Sequence, residues 1–258
     1  MITSFQNDRE KIEGKYHKVD EPFNAYNRMA YHGWECPKDT GLSVEEIKKG
    51  LQEISKNYAG QSHEVQKARA IEYVLKNTRI DWNERDYFPL IYTWNREIRG
   101  VTLDRWSGEL FAKLVPEISP TYSLFNEAGA VSMWPDFDHV VPDWKSVLSL
   151  GFIGLKKRAE EYRKKLFKEQ GSLTESQTAY FDGIDVEYGA IIQFVDRLYK
   201  ISLEKKNDKS ELIQNALSSL LKGAPTNIYE AMLLMYLYFM ISESVDCYQV
   251  RSLGNGLD

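Results

Sequence analysis

Twelve consecutive residues hold the densest chemistry of this 258-residue chain: Met133-Trp134-Pro135-Asp136-Phe137-Asp138-His139-Val140-Val141-Pro142-Asp143-Trp144. One histidine and three carboxylates stand here among two tryptophans and two prolines. A carboxylate beside an imidazole can orient the ring and move its pKa across neutrality. The prolines fix φ and stiffen the loop, and the tryptophans can exclude water. An acid–base role for His139 with its neighbouring aspartates is therefore one reading. The other is a capped loop, in which Asp143 begins the following helix and the remaining aspartates are solvated.

Other chemistry is sparse. His32 and Cys36 are four residues apart, but Gly33 and Pro37 argue against one helix face carrying both, and no second Cys/His pair lies nearby. No metal site is expected. The sequence contains no Walker loop, no GxGxxG and no GxSxG. The basic run Lys156, Lys157, Arg158, Arg163, Lys164, Lys165 suits the solvated C-terminal half of a helix better than a phosphate site. Gly151 and Gly154 lie inside a helical pattern, where glycine serves close packing.

Proline divides the elements that must position the loop. Seven of the eight prolines lie at or before Pro142, leaving the stretch up to Pro225 free for long helices. Ser43 with Glu46 is a capping box, followed by Val44, Ile47, Leu51, Ile54 and Tyr58 at helical spacing, with Gly60 as a stop. A second helix is expected from about Ser62 to Lys76, with Val65, Ala68, Ile71 and Leu75 on one face. These form an N-terminal helical region, residues 1–79. Residues 80–142 read as long Trp- and Pro-rich loops with short elements such as Leu103–Leu114, and loops of that length are usually functional. Residues 143–258 read as a long-helix bundle. Asp143 caps one helix, Thr174 with Gln177 caps the next, and its seam is Ile184, Tyr188, Ile191, Val195 and Leu198. Ser210 to Leu221 is a shorter helix ended by Gly223, and Asn227 with Glu230 opens a very apolar one, 228–242. Residues 249–253 are expected to be extended. The fold class is mainly α, with few or short strands.

Composition fits a globular protein, 43% hydrophobic and 28% charged, with a net charge of −5. Asp plus Glu (38) exceed Lys plus Arg (33), which disfavours non-specific nucleic-acid binding. The most apolar stretch, Ile228 to Ile241, is shorter than the roughly 20 residues a membrane span needs. Two cysteines, Cys36 and Cys247, and a polar N-terminus suit the cytoplasm.

Four segments together resemble the glycyl radical enzymes, the pyruvate formate-lyase-like superfamily. His139-Val-Val-Pro-Asp-Trp-Lys-Ser-Val-Leu-Ser-Leu-Gly-Phe-Ile-Gly154 is similar to the family's Asn-His or Gly-His-Thr, Pro-Asp-Tyr/Phe, Lys-Val-Leu and Gly-x-x-Gly series. Ala224-Pro-Thr-Asn-Ile-Tyr-Glu-Ala-Met232 is like its Pro-Ala-x-Asn/Thr-Phe-Tyr-Glu-Ala. Ser252-Leu-Gly-Asn-Gly-Leu-Asp258 is like its Ser-Leu-Gly-Arg-x-Asp-Gln, and Arg69 to Asp81 is like its early helix. Order and spacing agree over roughly residues 43–258. The chain departs from the pattern at Arg85–Asn95, where the family has Gly-Glu-Leu-Ile-Val-Gly-Asn, at Asn255 and Gly256, and at Asp138, where the family has glycine.

The resemblance implies the helical N-terminal part of an α/β-barrel fold, and an enzyme that cleaves C–C or C–O bonds by radical chemistry: a lyase, a dehydratase or a formate acetyltransferase. It places His139, and with it Asp138 and Trp134, against a small-molecule substrate. It also implies a homo-oligomer and a separate iron–sulfur, S-adenosylmethionine-dependent activase that installs the glycyl radical. Neither cysteine stands in the family's Gly-Cys-x-Glu loop, and the Arg-Val-x-Gly-Tyr/Phe radical-glycine motif does not occur. The chain is thus expected to match the N-terminal part only and to be inactive alone, with no catalytic residue and no cofactor of its own. The alternative is a stand-alone helical binding or scaffold protein.

Overall fold

A computed structural model describes residues 41–42, 44–78, 80–81, 87–88, 90–91, 116–117, 119–130, 139–204, 209–245 and 249–250. Its helices are α1 (Val44–Asn57), α2 (His63–Asn77), α3 (Ser119–Glu127), α4 (Trp144–Gln170), α5 (Glu175–Glu204), α6 (Ser210–Leu220) and α7 (Ile228–Val245). Four two-residue strands accompany them: β1 (Ile80–Asp81), β2 (Leu90–Ile91), β3 (His139–Val140) and β4 (Gln249–Val250). β1 and β2 pair antiparallel, with Ile80 opposite Ile91. β3 and β4 pair in parallel, with His139 opposite Gln249 and Val140 opposite Val250.

The apolar periodicity translates directly into one core. On α1, Ile47 and Leu51 are fully buried; on α2, Ala68, Ala70, Ile71, Val74 and Leu75 are. These meet the α5 seam of Ala190, Ile191, Phe194, Val195 and Leu198, with α4 and α6 on its other sides. Each fully buried leucine or phenylalanine contributes about 1.5–3 kcal/mol through removal from water. Where α2 ends, Arg197 of α5 donates to the carbonyls of Leu75 (3.1 Å) and Thr78 (2.7 Å). A side chain from the neighbouring helix thereby satisfies carbonyls that the helix end leaves without intrahelical donors.

α4 and α5 form a long antiparallel hairpin. At its turn Thr174 N–H donates to Gln177 Oε1 (2.9 Å) and Gln177 N–H to Thr174 Oγ1 (3.1 Å), the expected capping box. The basic run of α4 is largely spoken for. Lys156 pairs with Glu160 and with Asp185 of α5, Arg163 reaches Asp182 of α5 at 2.7 Å, and Lys165 lies 3.9 Å from Glu169. Exposed pairs of this kind contribute at most about 1 kcal/mol each, and two of them, Lys156–Asp185 and Arg163–Asp182, cross between the two helices.

Two local devices join α4, α6 and α7. Gly151 interrupts α4 with φ +61° and ψ 179°, a backbone region open essentially to glycine alone. A Cβ there would stand 2.5 Å from the Gly223 carbonyl oxygen, just after α6. Glycine thus serves close packing, as its position in a helical pattern suggests, but it does so by breaking the helix. The second device is Glu230, 6% exposed. Its Oε2 accepts from Thr226 N–H (2.6 Å), the Thr226 hydroxyl (2.9 Å) and the Ser219 hydroxyl of α6 (2.9 Å), while its own N–H donates to Asn227 Oδ1 (3.0 Å). Burial pushes the Glu230 carboxyl up, and the donors from Thr226 and Ser219 outweigh it, holding the group below its ordinary value of 4.5.

The helix α3 was not foreseen; its Pro120 sits in the first turn, where proline is tolerated. The expected element Leu103–Leu114 lies outside the described residues. The extended reading of 249–253 holds for Gln249–Val250, and the long helices fall within a few residues of their expected ends.

Two outcomes test this arrangement. Gly151→Ala is expected to lower stability by about 2–3 kcal/mol in urea denaturation, because it is strained and meets a backbone oxygen; a loss under about 0.5 kcal/mol would place the contact elsewhere. A carboxyl held down in the folded state stabilises fully above its unfolded value, and that contribution fades as pH falls through the lower, folded one. The urea midpoint is therefore expected to drop as pH is lowered below 4.5, with a component missing in Glu230→Gln.

Candidate functional site

The loop that holds the candidate site residues ends at the junction of β3 and α4. Asp143 is the N-cap of α4: its Oδ1 accepts from the Ser146 N–H at 3.2 Å. Hydrogen bonds from the Ser146 side chain and then its amide hold the Asp143 carboxyl below its ordinary range. Trp144 follows, 1% exposed, with its ring edge-on to Tyr238 of α7 at 5.4 Å and 63°. A rigid cap and a buried aromatic anchor thus fix the point at which the loop enters the helical body. Of the three aspartates in the segment, Asp143 is the helix cap.

His139 lies on β3, where the parallel ladder sets its backbone opposite Gln249 of β4. Only its backbone placement is described. Trp134 and Asp138 lie outside the described residues, as do Asp136, Cys36 and Cys247. No distance therefore joins the three candidate site residues to one another.

The structure brings several of the sequence segments singled out above into contact, while 252–258 lies outside the described residues. The segment 139–154 meets 249–250 through the β3–β4 ladder, and it meets 223–224 through the approach of Gly151 to Gly223 and Ala224. The segment 224–232 is organised by Glu230, and the end of 69–81 by Arg197. Phe88 stacks obliquely on Tyr229 (5.8 Å) and Tyr236 (5.0 Å), and the Tyr229 hydroxyl donates to the Tyr87 carbonyl at 2.7 Å. Desolvation raises the Tyr229 hydroxyl to about 12, so it stays a donor at neutral pH.

One polar group was passed over by sequence reading. Glu187 lies on α5, and burial pushes its carboxyl up, partly offset by Lys67 of α2. Its charge is felt by Tyr188 and by Tyr238, the ring that contacts Trp144. The sequence signal was an acidic residue directly before the seam residue Tyr188, but that placement is equally common on a solvated flank. A cavity of about 380 Å3 between α2 and α5 is lined by Glu72, Lys76, Phe194, Arg197 and Lys200 among others, and by none of the candidate loop residues. Among the described residues, no group of three His, Cys, Asp or Glu could hold a metal ion, and no helix is long and apolar enough to cross a membrane.

No family model matches the sequence, and no curated protein matches it. Solved structures do. The fold is similar to that of a glycyl radical enzyme from Archaeoglobus fulgidus, with a TM-score of 0.55 and 16% identity over 79% of this chain and 32% of that one. It is also similar to the glycerol-bound B12-independent glycerol dehydratase from Clostridium butyricum, with a TM-score of 0.52 and 19% identity over 77% of this chain and 32% of that one. At such identities the likeness is one of fold, and the chain spans about a third of the length of the structures it matches. The resemblance read from four short segments is met in three dimensions: this chain has the fold of part of a glycyl radical enzyme.

Proposed function

We propose that this chain is the N-terminal helical part of a glycyl radical enzyme, a homo-oligomeric cytoplasmic lyase, dehydratase or formate acetyltransferase-like protein acting on a small substrate. The observation that carries the reading is the fold likeness over 79% of the chain. It is supported by the convergence of 139–154, 223–232 and 249–250 in one place. In this reading the chain holds the substrate but does not transform it. His139 donates to or accepts from a polar group of the substrate, Asp138 orients the imidazole, and Trp134 keeps water from the pocket. The remainder of the enzyme supplies the glycyl radical and the cysteine it acts through, and a separate iron–sulfur activase installs the radical. Exclusion of water and oxygen protects such chemistry, and the buried Trp144–Tyr238 contact fixes the inner end of the loop that provides it.

The experiment is intact-mass and peptide analysis of the protein made from its complete coding region. The expected result is a polypeptide, or a co-purifying second one, that carries a Gly-Cys-x-Glu loop and a C-terminal Arg-Val-x-Gly-Tyr/Phe segment. A monodisperse 30.0 kDa species with no such companion would contradict the reading and leave a stand-alone helical binding protein. In the complete enzyme, His139→Ala is expected to lower kcat/KM about tenfold to hundredfold, the worth of one substrate hydrogen bond with charged character. An unchanged kcat/KM would return His139 to a purely structural role.

A further inference from the structure

The helices α2 and α5 run side by side in the same direction. Gly183, early in α5, stands against the Glu64 backbone at the start of α2, and Arg197, late in α5, reaches Leu75 and Thr78 at its end. Between them lies a cavity of about 380 Å3, a volume in the range of small-molecule pockets. Among the described residues its lining comes entirely from these two helices, at positions three and four apart that share a face. A site held on packed helices keeps its geometry better than one on loops.

The lining is polarised along the helices. Leu75, Ala190 and Phe194, from 1% to 4% exposed, form an apolar floor. Lys76, Arg197 and Lys200 gather toward the C-terminal end of α2, and the hydrocarbon stems of such side chains extend an apolar wall. The two lining carboxylates are already matched: Glu72 by Arg69 at 2.8 Å and Asp196 by Lys200 at 2.7 Å. Arg197 is occupied by the carbonyls of Leu75 and Thr78. Lys76 meets no carboxylate within ion-pair distance among the described residues. One uncommitted cation beside an apolar floor suits a ligand with one negative charge and a hydrocarbon body. A phosphate dianion would find only half its charge matched and would make no use of the floor. A neutral apolar molecule would gain nothing from Lys76.

We propose that the groove between α2 and α5 binds a small organic monocarboxylate, with its carboxylate on Lys76 and its hydrocarbon body over Leu75, Ala190 and Phe194. None of the described lining residues belongs to the His139 loop, so the proposal does not depend on the reading given under Proposed function.

Saturation-transfer NMR titration of the complete polypeptide with hexanoate and with hexan-1-ol, using inorganic phosphate as a competitor, tests it. Hexanoate is expected to bind saturably and about fivefold more tightly than the alcohol, the worth of one partly exposed ion pair. Lys76→Gln should erase that preference and Lys76→Arg should keep it. Lys164→Gln, at an exposed position on α4, should leave it unchanged. Lys76 is itself exposed, so Lys76→Gln is expected to fold, and Lys76→Arg separates lost charge from lost packing. No saturable binding, an alcohol bound as well as the acid, or a preference that survives Lys76→Gln would each overturn the proposal. So would a preference lost equally in Lys164→Gln, or displacement of hexanoate by an equal concentration of phosphate.

Discussion

The described body depends on the seam of the long helix Glu175–Glu204. Its buried residues meet α2 on one side and the α4 and α6 helices on the others, so no other helix touches as much of the core. The same helix supplies Arg197, whose guanidinium closes the carbonyl end of α2 just before β1 begins. Burial lowers the pKa of this arginine, yet an arginine remains charged in proteins, so the two carbonyls receive charge-assisted bonds. A smaller or neutral side chain there would free the end of α2 and, with it, the start of the segment that follows.

From that centre the structure reaches the start of α4, where the candidate loop ends, through contacts that allow little substitution. Gly151 needs its left-handed backbone and its missing Cβ to approach Gly223. Glu230 needs its donors from Ser219 and Thr226 to remain an ionised, buried carboxylate. Trp144 needs Tyr238. Gly151 and Trp144 tie the start of α4 to Gly223 and to α7, and Glu230 ties α6 to the start of α7; all three residues fall within the segments that resemble the glycyl radical enzymes. The resemblance is thus carried here mainly by residues that hold elements together, with His139 at the edge of that framework.

Much of this was legible in the sequence, for physical reasons that differ by element. The helices were readable because each carries its own period and its own cap: Asp143 with Ser146, Thr174 with Gln177, and Asn227 with Glu230 all bond within three residues of chain. α3 was not, because Pro120 and an exposed surface left no buried stripe to detect. The break at Gly151 was hidden because its cause, the Gly223 carbonyl, lies far along the chain. Arg197 and Glu187 were missed for the same reason: both act on α2, and α5 by itself gives no sign of that partner. The loop around His139 announced its composition but not its geometry, since Trp134 and Asp138 lie in a stretch without periodicity.

The central claim is that this helical body belongs to a radical enzyme of which it forms about a third. Electron paramagnetic resonance tests that most directly. The complete polypeptide, incubated without oxygen with a radical-installing iron–sulfur activase and S-adenosylmethionine, is predicted to develop an organic radical whose hyperfine splitting collapses when its glycine is deuterated at the α-carbon. The absence of a radical, or a spectrum indifferent to glycine deuteration, would contradict the account.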